Sequence, residues 1–290
     1  MDTPPPDERL AAVVALKTLP TAKTRLATLP GPLRERLARC MALDTLAALA
    51  PAVHHLLVIS DQPDLSPELS RLGLRARVVA EPQLDRTAPD GKAGDSLNRA
   101  LAYGDALLRA DGVTRVLACV GDLPALRTET VVRVLTTATS AGRSFLPDHD
   151  GRGTTMLIAD GEPLGPLFGT GLVAGRLTGS AARHRRSGAA ALSLDSPDAR
   201  WDVDTIDDLQ IAHELGLGPA TGNLLDPGSG AVGRYALLTV RERTAEVIIA
   251  EIDGQQETVP WSAYDGDPAL IVPGRRLHAV RVAGALRCWG

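Results

Sequence analysis

The chain has 290 residues, a hydrophobic fraction of 44% and a formal net charge of −4 with a pI near 5.9. That apolar content supports a packed core and excludes wholesale disorder, while the mildly acidic balance gives no electrostatic footprint for nucleic acid or an anionic membrane. Cys40, Cys119 and Cys288 form neither a CxxC pair nor a disulfide framework, the start MDTPPPDERL is acidic where a signal peptide is basic, and no apolar run reaches membrane length, so a soluble cytoplasmic protein is expected.

Ala11 to Leu16 is short, apolar and valine-containing, and stops at Lys17-Thr18-Leu19-Pro20, which reads as a buried parallel strand. Lys17, Lys23 and Arg25 follow in one loop. Loops at the carboxyl ends of such strands bind ligands, so these cations predict either a polyanion site, most simply for a nucleoside triphosphate, or a solvated basic loop. Leu19-Pro20-Thr21-Ala22 precedes Lys23 without a glycine, so the loop is not a P-loop. Phosphate would have to be met by side-chain charge and the N-terminus of the next helix.

An amphipathic helix over 32–50 is followed by an apolar strand over 53–60, where His54 and His55 read as a solvent-exposed pair, and by a short strand over 76–79. The segment 81–95 is loop by composition. Asp95 or Ser96 suits an N-cap for the next helix; alternatively Ser96 and Asn98 face a base or ribose at its start. Arg115 to Val120 is a third buried strand, closed by Gly121-Asp122-Leu123-Pro124, which places the Asp122 carboxylate at a strand end suited to a metal. A helix over 129–141, then strands around the turn Asp150-Gly151-Arg152-Gly153, continue the α/β rhythm. Residues 164–180 are glycine-rich, 181–188 read as a helix, and Leu192-Ser193-Leu194 as a short strand.

In the extended segment Trp201-Asp202-Val203-Asp204, the period of two sets Asp202 and Asp204 on one side. Paired carboxylates repel unless a cation sits between them, which points to a divalent metal; the other reading is that Asp204 or Thr205 caps a helix starting near Ile206. The composition divides the chain into a domain over 1–218, a Gly/Pro/Ser-rich linker over 219–233 and a small all-β module over 234–290, with short alternating strands at 235–240, 245–252, 257–261, 270–272 and 277–282. These suggest an OB- or SH3-like barrel serving oligomerisation or docking.

The ordered motifs ALKTLPTAKTRLA, VISD, DSLNRAL, CVGDLPAL, DGRGTT, FG with GSAARH, and WDVDTIDDL resemble the phospholactate or phosphoenolpyruvate guanylyltransferases of coenzyme F420 biosynthesis, over residues 10–217. The resemblance implies a Rossmann-like nucleotidyltransferase fold with a mostly parallel sheet. It implies transfer of GMP from GTP to a phosphorylated three-carbon acid, phosphoenolpyruvate or 2-phospholactate, with release of pyrophosphate. It also implies that Asp122 and Asp202 hold Mg²⁺, that Lys17, Lys23 and Arg25 meet the triphosphate and carry the charge stabilisation, and that Ser96 and Asn98 lie near the nucleotide. Thr154, Gly169 and Ser180 would bind the phospho-acid. One departure stands out: TGLVAGRLT separates Phe168-Gly169 from Gly179-Ser180, which the family runs nearly together. A phosphate monoester is already an anionic nucleophile, so neutralisation and alignment matter more to such a reaction than a general base, which supplies only about 10²–10⁴-fold.

Overall fold

The computed structural model describes residues 9–16, 26, 29, 31–81, 93–139, 142–173, 176–225, 235–252, 254–265, 268–282 and 285–289. The chain forms two compact units, one made of residues 1–22 and 41–218 and the other of 23–40 and 219–290.

The first unit opens with β1 (Leu10–Ala15), and helix α1 (Gly31–Leu49) follows in the chain. The unit continues with β2 (His55–Ile59), α2 (Leu65–Arg71), β3 (Arg77–Val79), α3 (Ala93–Ala110), β4 (Arg115–Cys119), α4 (Thr128–Thr137), β5 (Gly142–Pro147) and β6 (Thr154–Asp160). A two-stranded hairpin, β7 (Gly171–Val173) and β8 (Arg176–Thr178), precedes α5 (Ser180–Arg186), β9 (Ala190–Ala191), α6 (Pro197–Arg200) and α7 (Ile206–Leu215).

Seven of these strands form one sheet in the order β3-β2-β1-β4-β6-β5-β9. β1 runs parallel to both β2 and β4, β2 to β3 and β5 to β9, whereas β6 is antiparallel to its neighbours β4 and β5. The run Ala11–Val14 is fully buried, as a central parallel strand covered on both faces requires. One core cluster joins Val13, Leu57, Val116, Ala118, Phe145 and Leu157 of the sheet to Ala100, Leu101 and Leu108 of α3. Gly104 lets α3 approach closely: a Cβ there would collide with the Val13 side chain on β1.

The second unit contains α8 (Pro219–Leu225) and β10 (Tyr235–Arg243), β11 (Val247–Ile252), β12 (Gln255–Pro260), β13 (Tyr264–Asp265), β14 (Arg276–Val282) and β15 (Ala285–Trp289). Its sheet has the order β12-β11-β10-β14-β15-β13, antiparallel except for the β13–β15 pair, over a core that includes Leu238, Val240, Ile248, Val259 and Leu277.

Several boundaries differ from the sequence expectation. α3 begins at Ala93, so Asp95 and Ser96 lie within its first turns rather than at the N-cap. The glycine-rich segment holds β7 and β8, strands too short for their alternation to stand out among glycines. The strand expected at 192–194 sits earlier: Ala190–Ala191 pairs with β5, and the Leu192 N–H donates to the Phe145 carbonyl at 2.8 Å just beyond it. Residues 219–225, expected in the linker, are helical: proline is well tolerated at the first helical position, and Thr221, Leu224 and Leu225 are buried. No strand forms at 270–272: Leu270 ends a 3₁₀ turn over Pro268–Leu270, and Ile271 and Val272 lie outside any regular element; β15 lies beyond the last expected strand.

Candidate functional site

β4 delivers a carboxylate to the carboxyl edge of the sheet. Because β1 and β4 are parallel neighbours, their ends meet: Gly121 lies so close to Leu16 that a Cβ would collide with the leucine side chain. Asp122 follows directly. The Val203 N–H donates to the Asp122 carbonyl at 3.0 Å, laying the extended segment 201–204 alongside it. Asp122, Asp202 and Asp204 can each place a carboxylate oxygen within 4.8 Å of the others, and all three are half-buried. Three hard oxygen donors on partly desolvated carboxylates could hold a divalent cation, which would relieve the repulsion between like charges this close. The buried thiol of Cys119, at the end of β4, has its pKa pushed up by desolvation and, secondarily, by the Asp122 charge, which makes it inert core.

The cap of α7 is Thr205, one of the two residues expected to provide it, acting together with Asp208. Thr205 Oγ1 accepts from the Asp208 N–H at 3.2 Å, and Asp208 Oδ2 accepts from the Thr205 N–H at 2.7 Å. This capping box, with a further bond from the Asp204 N–H to Asp208, fixes where the 202–204 segment ends. Trp201 donates from Nε1 to Asp208 at 3.3 Å and stacks on His149, ring centroids 3.9 Å apart. Arg200 donates to the Pro147 and Asp148 carbonyls, and the His149 N–H to the Arg200 carbonyl. The β5–β6 loop and the segment bearing Asp202 are thereby joined.

That loop leads into Thr154. Asp148 accepts from the N–H groups of Arg152 at 2.9 Å and Gly153 at 2.7 Å, closing the turn. Val120 N donates to the Thr155 carbonyl at 3.0 Å, so β6 starts beside the end of β4, and Thr154 sits on the same sheet edge as Asp122. Thr154 Oγ1 lies 3.0 Å from His184 Nδ1, and His184 Nε2 accepts from the Leu167 N–H at 3.0 Å. Phe168 is held by Asn98 in both directions: its N–H donates to Asn98 Oδ1 at 2.7 Å and its carbonyl accepts from Asn98 Nδ2 at 3.0 Å. Gly169 follows at φ +80°, a conformation glycine adopts freely. Ser180 is buried at the start of α5, where Gly179 packs so tightly on the Arg152 carbonyl that a Cβ would overlap it.

The structure therefore gathers the expected metal residues Asp122, Asp202 and Asp204 into one cluster, and ties the expected acceptor residues Thr154, Gly169 and Ser180 into one region of the same unit. Asn98 spends both ends of its amide on Phe168, and Ser96 is half-buried within α3. Lys17, Lys23 and Arg25 lie outside the described residues. Sequence reasoning gave no role to His184. Its signal was present in GSAARH, where a histidine four residues after Ser180 shares a helix face with it.

No protein-family model matches the chain. Curated relatives named phosphoenolpyruvate guanylyltransferase do. The one from Geodermatophilus obscurus is 42% identical over 77% of this chain and 97% of its own length, and the one from Streptomyces scabiei 44% identical over 74% and 97%. Among solved structures, a chain from Desulfovibrio desulfuricans G20 named for nucleotide-diphospho-sugar transfer is 20% identical, with a TM-score of 0.52 over 71% of this chain and 86% of its own; that likeness concerns the fold alone.

Proposed function

Since the chain belongs to the phosphoenolpyruvate guanylyltransferase family, we propose that it transfers GMP from GTP to phosphoenolpyruvate and releases pyrophosphate. The observation that carries this reading is the convergence of Asp122, Asp202 and Asp204 at the carboxyl edge of the sheet, beside the start of β6. Ligands of open α/β sheets bind at this edge.

In the reaction, a phosphate oxygen of the acceptor attacks the α-phosphorus of GTP. A new phosphoanhydride bond forms, the bond to the β-phosphate breaks, and pyrophosphate leaves with its electron pair. No proton need be removed from the attacking phosphate, so charge and alignment decide the rate. A Mg²⁺ ion held by Asp122, Asp202 and Asp204 would supply charge neutralisation to the phosphates. Lys17, Lys23 and Arg25 would meet the triphosphate and stabilise the departing pyrophosphate. At an effective dielectric near 20, each unit charge pair about 4 Å apart is worth roughly 4 kcal/mol. Thr154, Gly169 and Ser180 would orient the phospho-acid, and positioning of this kind reaches effective molarities of about 10⁵ M or more.

The names of the relatives favour phosphoenolpyruvate over 2-phospholactate, and the motif resemblance supports a place in coenzyme F420 biosynthesis. Both substrates are cytoplasmic metabolites, so the reading carries a cytoplasmic location with it; among the described residues no helix is long and apolar enough to cross a membrane. The test is pyrophosphate release from GTP or ATP with phosphoenolpyruvate, 2-phospholactate or 3-phosphoglycerate. GTP with phosphoenolpyruvate should turn over fastest, and no release from that pair would overturn the assignment. Asp122→Asn should abolish turnover without unfolding the chain; near-normal activity would remove Asp122 from the metal set.

A further inference from the structure

We infer that His184 and Asn98 are positioning residues for the acceptor: together they clamp the Leu167–Gly169 turn against Thr154 and aim the Thr154 hydroxyl at the incoming phospho-acid. The inference rests on the reading of Thr154 and Gly169 as acceptor contacts.

Hydrogen-bond polarity carries the argument. The Leu167 backbone N–H can only donate, so His184 Nε2, 3.0 Å away, must present its lone pair. In a neutral imidazole the proton then sits on Nδ1, which donates to Thr154 Oγ1 at 3.0 Å. With its oxygen engaged as an acceptor, the Thr154 hydroxyl keeps its own proton for an external acceptor, as an anionic substrate oxygen would require. One ring thus fixes both a hydroxyl direction and a backbone N–H. His184 is fully buried, its ring 5.5 Å from those of Phe145 and Phe168.

Asn98 supplies a second, independent hold. Its amide reproduces the pairing of a neighbouring strand on Phe168, donating and accepting from a helix 70 residues away in sequence. The strap from 162 to 168 is pinned further: Asp105 accepts from the Leu164 N–H at 3.0 Å, and Arg183 donates to the Leu167 carbonyl at 3.2 Å. Gly169, at the end of the strap, is exposed. A stretch of chain without regular structure that receives side-chain bonds from α3 and α5 is held in place for whatever it touches at that end.

Among the described residues, the charged groups acting on His184 are cationic: Arg183 on α5 and Arg143 on β5, which pairs with Glu162 at 3.6 Å, while Arg185 lies over the Phe145 ring. Burial first, and then the Arg183 and Arg143 charges, hold the imidazole neutral, lowering its pKa from 6.5 to about 4. The clamp is therefore set throughout the neutral range.

Three variants test this: Asn98→Ala, His184→Gln, whose amide oxygen can still accept from Leu167, and His184→Leu. Each is assayed for the KM of phosphoenolpyruvate and of GTP, and for amide hydrogen exchange over residues 163–173. Asn98→Ala and His184→Leu should raise the phosphoenolpyruvate KM by about tenfold or more and leave the GTP KM within about twofold, with His184→Gln between wild type and His184→Leu. Exchange over 163–173 should quicken in the same order. A raised GTP KM in Asn98→Ala would overturn the inference and make Asn98 a nucleotide contact. Unchanged exchange in both Asn98→Ala and His184→Leu would overturn it as well. If wild type does not use phosphoenolpyruvate, the functional reading fails on its own, while the exchange measurement still decides whether the clamp exists. Should His184→Leu fail to fold, Asn98→Ala, at a half-buried position, decides the outcome.

Discussion

Acidification should destabilise the first unit through His184. The group is neutral in the folded chain down to about pH 4, whereas its unfolded value is 6.5. Between those values the unfolded state binds a proton that the folded state does not, so folded stability rises with pH across the window. The stability is fully present above pH 6.5 and is lost as pH falls towards 4. Taking both values, the loss at about pH 5 relative to about pH 8 comes to about 2 kcal/mol, a large share of the margin of an ordinary domain. The measurement is urea unfolding at the two pH values, followed by hydrogen exchange of peptides covering 180–188, so that only the first unit is read. His184→Gln is the control: it cannot titrate, so its stability difference between the two pH values should be smaller than that of wild type by about 2 kcal/mol, leaving only what the carboxylates contribute. Equal differences in wild type and His184→Gln would refute the reasoning, because the ring would then have to accept its proton without losing the Leu167 bond.

Gly179→Ala should destabilise the first unit by about 1–3 kcal/mol and lower turnover, since a Cβ there overlaps the Arg152 carbonyl and Ser180 must shift with it; thermal unfolding and pyrophosphate release measure both effects. Thr205→Ala removes the capping oxygen of α7 and should cost about 1 kcal/mol in urea unfolding. Lys23→Ala should raise the GTP KM while leaving that of phosphoenolpyruvate nearly unchanged, and an unaltered GTP KM would take Lys23 out of the triphosphate site.

The sheet was legible where burial writes itself into composition. Leu10–Ala15, Leu56–Ile59 and Val116–Cys119 are apolar runs bounded by polar or turn residues, as parallel strands covered on both faces favour. Asp122 was legible for the complementary reason: a carboxylate directly after such a run, between Gly121 and Pro124, is costly to bury unless something uses it. The pairing of Asp202 with Asp204 followed from period-two geometry alone. Direction in the sheet was not legible, since β6 runs antiparallel between β4 and β5 without any change in its composition.

The interior of the acceptor region was illegible for a different reason. Asn98 and Phe168 lie 70 residues apart, and Thr154 and His184 lie 30 apart. Their bonds depend on which polar atoms folding leaves facing one another, and a polar residue near a helix start looks the same whether it meets a ligand or a backbone. Asn98 illustrates this: the pattern that suggested a nucleotide contact holds an amide that satisfies both polar groups of Phe168. His184 was hidden among arginines, where a basic run normally signals a solvated face. What sets it apart is position on the helix, since Ser180, Ala181 and His184 are buried while Arg185 and Arg186 are exposed. Helical phase, more than residue type, separates the one basic side chain drawn into the core from its solvated neighbours. The same phase brings His184 to Thr154, so the burial that silences its charge also gives the ring its two hydrogen bonds.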